Sequence, residues 1–250
     1  MKLNTRSQLL CVWASPVATV AWLVGFGVVA GFIPPPSPND TAAQIQHLYL
    51  SNLTGIRAGM FITMMGAALI GPFVVAVSSQ LRRIEGRLHS PLADTQLGLG
   101  VLMVLLFIMP CFMIEGAAFR PHADPQITQA LNDAGFLPFV GGFMTTFFQM
   151  LAAGICILQD KAQRVFPRWL GYMNIACAVL LIPAGFDVFF KTGPFAWDGG
   201  LALWMVLVEF CLWFLVMFWE TRKAILREAA EATQDVLADL PEDQFQHVSA

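Results

Sequence analysis

Six long apolar segments separated by short polar connections make up most of the chain. Each segment reaches the ~20 apolar residues that a helix needs to cross the hydrocarbon core of a bilayer. The pattern predicts an all-α polytopic membrane bundle with six transmembrane helices, at about 9–33, 58–79, 98–119, 136–158, 169–190 and 200–219. Residues 1–220 are therefore predicted to form the transmembrane domain, and residues 221–250 a cytosolic amphipathic helix and tail.

Two connections on one side carry helix signals of their own. A proline-rich stretch, 34–38, ends the first segment, and an N-cap cluster of Asn39, Asp40 and Thr41 then precedes an amphipathic stretch. In the next outer connection Asp124 and Pro125 open a second short helix, expected to stop at Gly135. Both helices are predicted to lie at the membrane interface.

Lysine and arginine are distributed unequally between the two sides. When successive connections are assigned to opposite sides, one side holds eleven of the fourteen: Lys2, Arg6, Arg82, Arg83, Arg87, Lys161, Arg164, Arg168, Arg222, Lys223 and Arg227. The other side holds Arg57, Arg120 and Lys191. Short cytoplasmic loops retain cations, so both termini are predicted to be cytoplasmic. Trp169, Tyr172 and Trp219 fall at the inner boundary, where aromatic anchors are expected.

Composition excludes several functions. The chain is 57% hydrophobic and only 12% charged, whereas about a quarter of a soluble protein is charged, so no soluble catalytic domain fits into it. No basic patch with interleaved aromatics is present, and nucleic acid is not an expected partner. The four histidines lie outside the apolar segments, so no metal, cofactor or catalytic set is predicted: His47, His89, His122 and His247.

Glu209 lies near the middle of the sixth segment, which carries no cation to pair with it. A carboxylate there costs ~3 kcal/mol on insertion scales, so it is expected to face the bundle interior or a hydrated cavity. Gln149 is predicted at nearly the same depth in the fourth segment, and Thr145 lies one turn away on a stripe of small and polar residues. These three residues are predicted to line a ligand site. The alternative is a hydrogen bond that fixes helix packing or an oligomer interface.

A second group of charges is predicted nearer the outer face. Glu115 and Asp187 each lie ~10 Å beyond the midpoint of their segments, at 1.5 Å per residue. Lys191, four residues after Asp187, is expected to pair with it along the helix, and Arg57 and Arg120 reach the same level. These charges are interpreted either as a polar vestibule that binds ligand or as ordinary helix-end ion pairs.

A proline frees backbone groups and can kink a membrane helix, and four prolines fall within four different segments: Pro72, Pro110, Pro138 and Pro183. In transporters such breaks mark sites or hinges, but prolines are also common in membrane helices generally. The prolines therefore suggest sites without locating one.

Two stretches resemble a known family. Residues 167–174 (PRWLGYMN) and 189–199 (FFKTGPFAWDG) are similar to a family of uncharacterised bacterial multi-pass membrane proteins. The likeness extends over the six segments and less clearly over the tail. It implies an inner-membrane location and six helices, and it supplies no activity or catalytic residues.

These observations predict an inner-membrane protein that acts as a permease or membrane-embedded binding protein for a small apolar or protonatable compound, with Glu209 as polar anchor. One alternative is a non-catalytic accessory or scaffold subunit, whose stripes of small residues pack against a second copy or a partner membrane subunit. A membrane-embedded enzyme is a third alternative, and the sequence offers it neither a nucleophile nor a metal set.

Overall fold

The computed structural model describes residues 4–86, 88–162 and 164–238. All regular structure within these ranges is helical. The α-helices, numbered along the chain, are α1 Thr5–Trp22, α2 Ala42–Ser51, α3 Leu53–Ala68, α4 Ile70–Glu85, α5 Pro91–Phe119, α6 Pro125–Gly141, α7 Met144–Gln159, α8 Arg168–Leu180 and α9 Met205–Ala238.

Six stretches are long and apolar enough to cross a membrane, which confirms the predicted all-α bundle with six spans. They are Thr5–Val29, Leu53–Glu85, Pro91–Phe119, Pro125–Gln159, Arg168–Phe189 and Gly200–Gln234. Several extend beyond the predicted bounds, because a helix does not end where its apolar stretch ends. The side of the membrane on which the termini lie stays a prediction. Two of the cations on which that prediction rests, Lys2 and Arg87, lie outside the described ranges, as do residues 239–250 of the tail.

The second outer amphipathic segment does not form a separate helix. It is the first part of α6, which continues through Gly135 to Gly141. A Cβ at Gly135 would lie 2.7 Å from a side-chain carbon of Ile114 in α5, so this glycine permits close helix packing and does not end the helix. The other outer helix, α2, forms as predicted, with a capping box between Thr41 and Gln44.

Five of the six spans depart from α-helical geometry. The second is interrupted at Leu69, where α3 ends and α4 begins. The first ends in a π-helical segment, Leu23–Val29, and the sixth begins with another, Gly200–Trp204. The fourth is interrupted between Gly141 and Met144, where α6 ends and α7 begins. The fifth changes to a 3-10 helix, Ile182–Phe189, in which Pro183 has no backbone N–H to donate.

Small residues let the spans approach closely within the chain. A Cβ at Gly25 of the first span would lie 2.7 Å from the carbonyl oxygen of Gly59 in the second. A Cβ at Gly154 of α7 would likewise lie 2.8 Å from the carbonyl oxygen of Gly171 in α8. Gly59 is the first residue of a stripe of small residues in the second span (Gly59, Thr63, Ala67 and Gly71), and it faces the first span of the same chain.

The end of the bundle opposite the termini, which is the predicted outer end, is covered by its connections. Trp197 donates from its indole nitrogen to the Pro36 carbonyl at 2.8 Å, and its ring stacks on Phe136. On α2, Tyr49 is fully buried and donates its hydroxyl to Asn132 of α6 at 3.2 Å. We call this layer, formed by α2, residues 30–41 and Trp197, the outer cover.

The opposite end is joined by a polar network between α1, α4 and α9. Gln80 donates to Gln8 at 2.7 Å and to Glu228 at 3.1 Å. Arg83 donates to Gln80 at 2.8 Å and to Glu231 at 2.9 Å, and lies 3.7 Å from Glu228. The side chain of Arg83 is 13% exposed, so this network holds α9 to the bundle beyond its apolar part.

Candidate functional site

A cavity of about 80 Å³ lies inside the bundle, near the middle of the third and fourth spans. Aromatic and aliphatic side chains form most of its wall, and Thr146 is the hydroxyl-bearing residue among them. The lining residues are Trp22, Met103, Leu106, Phe107, Phe139, Val140, Gly142, Phe143, Thr146, Leu181, Ala202, Leu203, Val206, Leu207 and Phe210.

Four of these five departures from α-helical geometry meet at this cavity, whereas no residue of the interrupted second span lines it. Trp22 immediately precedes the first π-helical segment, and Ala202 belongs to the second. Gly142 and Phe143 form the interruption of the fourth span, and Leu181 precedes the 3-10 helix of the fifth. Irregular backbone at membrane depth is tolerated where it is buried in protein or lines a cavity. Of the prolines noted in the sequence, Pro138 lies one turn before the interruption of the fourth span and Pro183 lies in the 3-10 helix of the fifth, whereas Pro72 and Pro110 lie within α4 and α5.

The ring of Phe139 is central to the aromatic wall. It stacks on Phe26 with ring centroids 4.5 Å apart and on Trp22 at 6.2 Å, and it meets Phe107 edge-on at 5.6 Å. Phe107 in turn contacts Phe210 at 5.7 Å. This arrangement joins the first, third, fourth and sixth spans through aromatic contacts. Sequence reasoning missed it, because no periodicity of Phe indicates which rings will meet.

Asp187 lies behind the interruption of the fourth span. Its side chain is 3% exposed, and neither carboxyl oxygen has a hydrogen-bond partner among the described residues. The carboxyl group lies beside the backbone of Gly141. The expected pairing with Lys191 does not form, because the 3-10 helix ends at Phe189 and places Lys191 beyond it.

Glu209 is 7% exposed and faces the bundle interior, as its position in the sequence predicts. It lies beside the thiol of Cys177 in α8, without hydrogen-bond geometry to it or to any described residue. Its neighbour Phe210 belongs to the cavity wall, whereas Glu209 itself does not. The carboxyl group is therefore adjacent to the cavity wall and not part of the lining.

The structure does not join Gln149 or Thr145 to Glu209 by a hydrogen bond. Gln149 is fully buried and packs at Gly100 of α5, with its amide lacking a described partner. Thr145 also lacks one, and the neighbouring residue, Thr146, faces the cavity. Gln149 and Glu209 are predicted to meet because they lie at nearly the same depth, but the Gln149 side chain points toward α5 instead.

Glu115 is half-buried on α5, and no described cation makes a salt bridge with it. Arg57 instead donates to the carbonyl oxygen of Ala118 at 2.7 Å. This guanidinium satisfies one of the last carbonyl groups of α5. None of the salt bridges found among the described residues joins two of these five charges, and the vestibule stays a prediction.

No group of three His, Cys, Asp or Glu side chains able to hold a metal ion occurs among the described residues. Comparison of the chain with protein-family models, with curated proteins and with solved structures finds no match. The resemblance noted in the sequence therefore stays a prediction, and the geometry of the cavity carries the functional argument.

Proposed function

We propose that the chain is an inner-membrane protein that binds a small apolar compound, or the apolar end of a larger one, in the cavity and acts as its permease. The observation that carries this proposal is the convergence of four irregular span segments on one aromatic-walled cavity. Ligand sites in membrane transporters are commonly built from interrupted helices near the bilayer midplane. The excess of cations favours the orientation with both termini in the cytoplasm.

The size of the cavity restricts the ligand. At about 80 Å³ it has roughly half the volume of the ~150 Å³ apolar cavity that accommodates benzene in an engineered protein. A short alkyl group therefore fits without rearrangement, whereas an aromatic ring requires a wall residue to move.

Access from the bilayer fits the surroundings better than access from water. A buried apolar cluster, formed by the outer cover together with the spans, includes Phe26, Phe32, Phe136 and Trp197, and a second buried cluster fills the other half of the bundle. By contrast, wall residues Leu106, Phe139 and Leu203 are partly exposed. An apolar compound dissolved in the membrane would enter between spans at this level.

Matched substitutions on α9 test the cavity. Val206 lies in the wall of the cavity, whereas Val208 of the same helix is 58% exposed on the surface of the bundle. A short alkyl diazirine should label residues 139–146 of the purified protein on illumination, as mapped by mass spectrometry. Val206→Phe fills the cavity and should suppress that labelling, and Val208→Phe should not. Equal labelling of residues 139–146 in both variants would show that the compound does not bind in the cavity.

Glu209 is proposed as a proton-accepting anchor behind the wall rather than as a direct ligand. Glu209→Gln retains the size and polarity of the side chain and removes its ability to ionise. Uptake of the labelled compound into liposomes should therefore lose its dependence on pH in this variant. If uptake by the variant still follows pH as in the original chain, Glu209 has no part in coupling.

The scaffold alternative is less well supported. Gly59 faces the first span and Gly141 faces Asp187, so the small residues that would serve a partner are already used within the chain. An accessory subunit would show no specific labelling of the cavity, and Val206→Phe and Glu209→Gln would both be silent. No described residue set supports the enzyme alternative.

A further inference from the structure

An open groove of about 530 Å³ lies between the beginning of α8 and the polar part of α9, far along the bundle from the apolar cavity. Pro167 and Trp169 form one wall. The other wall is formed by four residues of α9: Glu220, Lys223, Leu226 and Arg227. The groove belongs to neither the cavity nor the polar network.

The groove carries a positive charge. Lys223 and Arg227 line it, and Arg222 is adjacent on the same helix. The one acidic side chain of the lining, Glu220, is buried and accepts a hydrogen bond from Lys223 at 2.8 Å. The Lys223 side chain is still 47% exposed, and an ammonium group has three donors, so it can bind a second anion.

Aromatic side chains place the groove at the level of lipid headgroups. Trp169 and Trp219 are each about half exposed, at 50% and 51%. The Lys223 nitrogen lies 5.6 Å from the centre of the Trp219 ring, and the Arg222 guanidinium lies 5.9 Å from it. Tryptophan and basic side chains are enriched together at the boundary between hydrocarbon and water.

The apolar surroundings favour a lipid over a soluble anion. Exposed hydrophobic side chains continue from the groove toward the membrane centre, with Tyr172 and Val179 on α8 and Leu212 and Leu215 on α9. A headgroup in the groove would thus have its acyl chains against an apolar surface. We propose that this groove is a binding site for an anionic phospholipid, whose phosphate is held by Lys223 and Arg227 beside Trp169.

Native mass spectrometry of the purified full-length chain tests the proposal with two lipids that share acyl chains, phosphatidylglycerol and phosphatidylcholine. Each basic residue near a membrane surface contributes about 1 kcal/mol to binding of anionic lipid, or about fivefold in affinity. The original chain should retain phosphatidylglycerol preferentially. Lys223→Gln should weaken that retention about fivefold, and Lys223→Arg should preserve it.

Arg82→Gln provides the matched control, because Arg82 is another exposed cation at the same end of the bundle, paired with Asp94 away from the groove. It should leave lipid retention unchanged. Equal retention of both lipids, or an equal loss in Lys223→Gln and Arg82→Gln, would overturn the proposal. Displacement of phosphatidylglycerol by inorganic phosphate alone would show a free-anion site and would also overturn it. The result is independent of the cavity, which these substitutions do not touch.

Discussion

Replacing Gly141 with alanine tests the contact between the interruption of the fourth span and the 3-10 helix of the fifth. A Cβ built at Gly141 would lie 2.9 Å from both Cγ and Oδ2 of Asp187 and closer still to Oδ1. Carbon atoms in favourable contact are ~3.5–4.0 Å apart, so the carboxyl group must retreat by roughly 0.6 Å or more. Phe143 packs tightly against Gly185 in the same 3-10 helix and restricts that movement.

The expected cost follows from this crowding. Inserting a methyl group into a well-packed interior typically destabilises a protein by about 1–3 kcal/mol. For a chain of this length we expect Gly141→Ala to lower the unfolding temperature by roughly 2–4 °C for each kcal/mol. Gly98→Ala is the matched control, since a Cβ at Gly98 meets nothing within 4 Å. It should be neutral or raise stability by up to about 1 kcal/mol, because alanine favours the helix.

Thermal unfolding of the purified variants in one detergent measures both effects, and a second substitution identifies the cause. Asp187→Ala removes the group that the new methyl would strike, so Gly141→Ala should be much less damaging in that background. The difference between the single and double variants is the coupling energy. If Gly141→Ala lowers the unfolding temperature equally with and without the Asp187 carboxyl group, the contact with Asp187 is not the cause of the destabilisation.

Two further predictions concern the ends of the bundle. Arg83→Met should lower the free energy of unfolding by about 3 kcal/mol, because it breaks a largely buried charged network. Arg82→Met should lower it by less than about 1 kcal/mol, because the Arg82 side chain is 43% exposed. Chemical unfolding of the two purified variants measures both values. Equal losses would contradict the different roles given to these neighbours. Burial raises the pKa of the Tyr49 phenol above its ordinary 10.0, so the folded state holds a proton that the unfolded state releases. Stability should therefore fall as pH rises above about 10, and it should fall less steeply in Tyr49→Phe. Thermal unfolding across this pH range tests the expectation, and an equal decrease of the unfolding temperature with pH in both proteins would refute it.

The sequence predicted the six spans well because each depends on length and hydropathy alone. It also predicted an N-cap within residues 39–41, where Thr41 takes that role, and the N-cap at Asp124; both side chains accept the expected backbone hydrogen bonds. These are local properties: the apolar residues of one span, or a side chain within three residues of the amide that it caps. They do not require knowledge of which helices become neighbours.

The candidate site could be predicted only in part. Depth along a helix follows from 1.5 Å per residue, and burial of Glu209 and Asp187 follows from the cost of exposing charge to lipid. The direction in which a side chain points around the helix depends on packing. Gln149 consequently faces Gly100 instead of Glu209, and Thr146 rather than Thr145 faces the cavity. The convergence of irregular segments depends on contacts between distant spans, which a single sequence does not reveal.

The contact between the first and last spans has a consequence for biogenesis. Trp13 of α1 meets Phe218 of α9 edge-on at 5.0 Å, and Gln8 donates to Glu228 at 3.4 Å. Of the six spans, the first therefore completes its packing only after the sixth has been inserted. Its contacts with α3 and α4 can form earlier in synthesis, whereas the side of α1 that packs on α9 has no partner within the chain until α9 arrives.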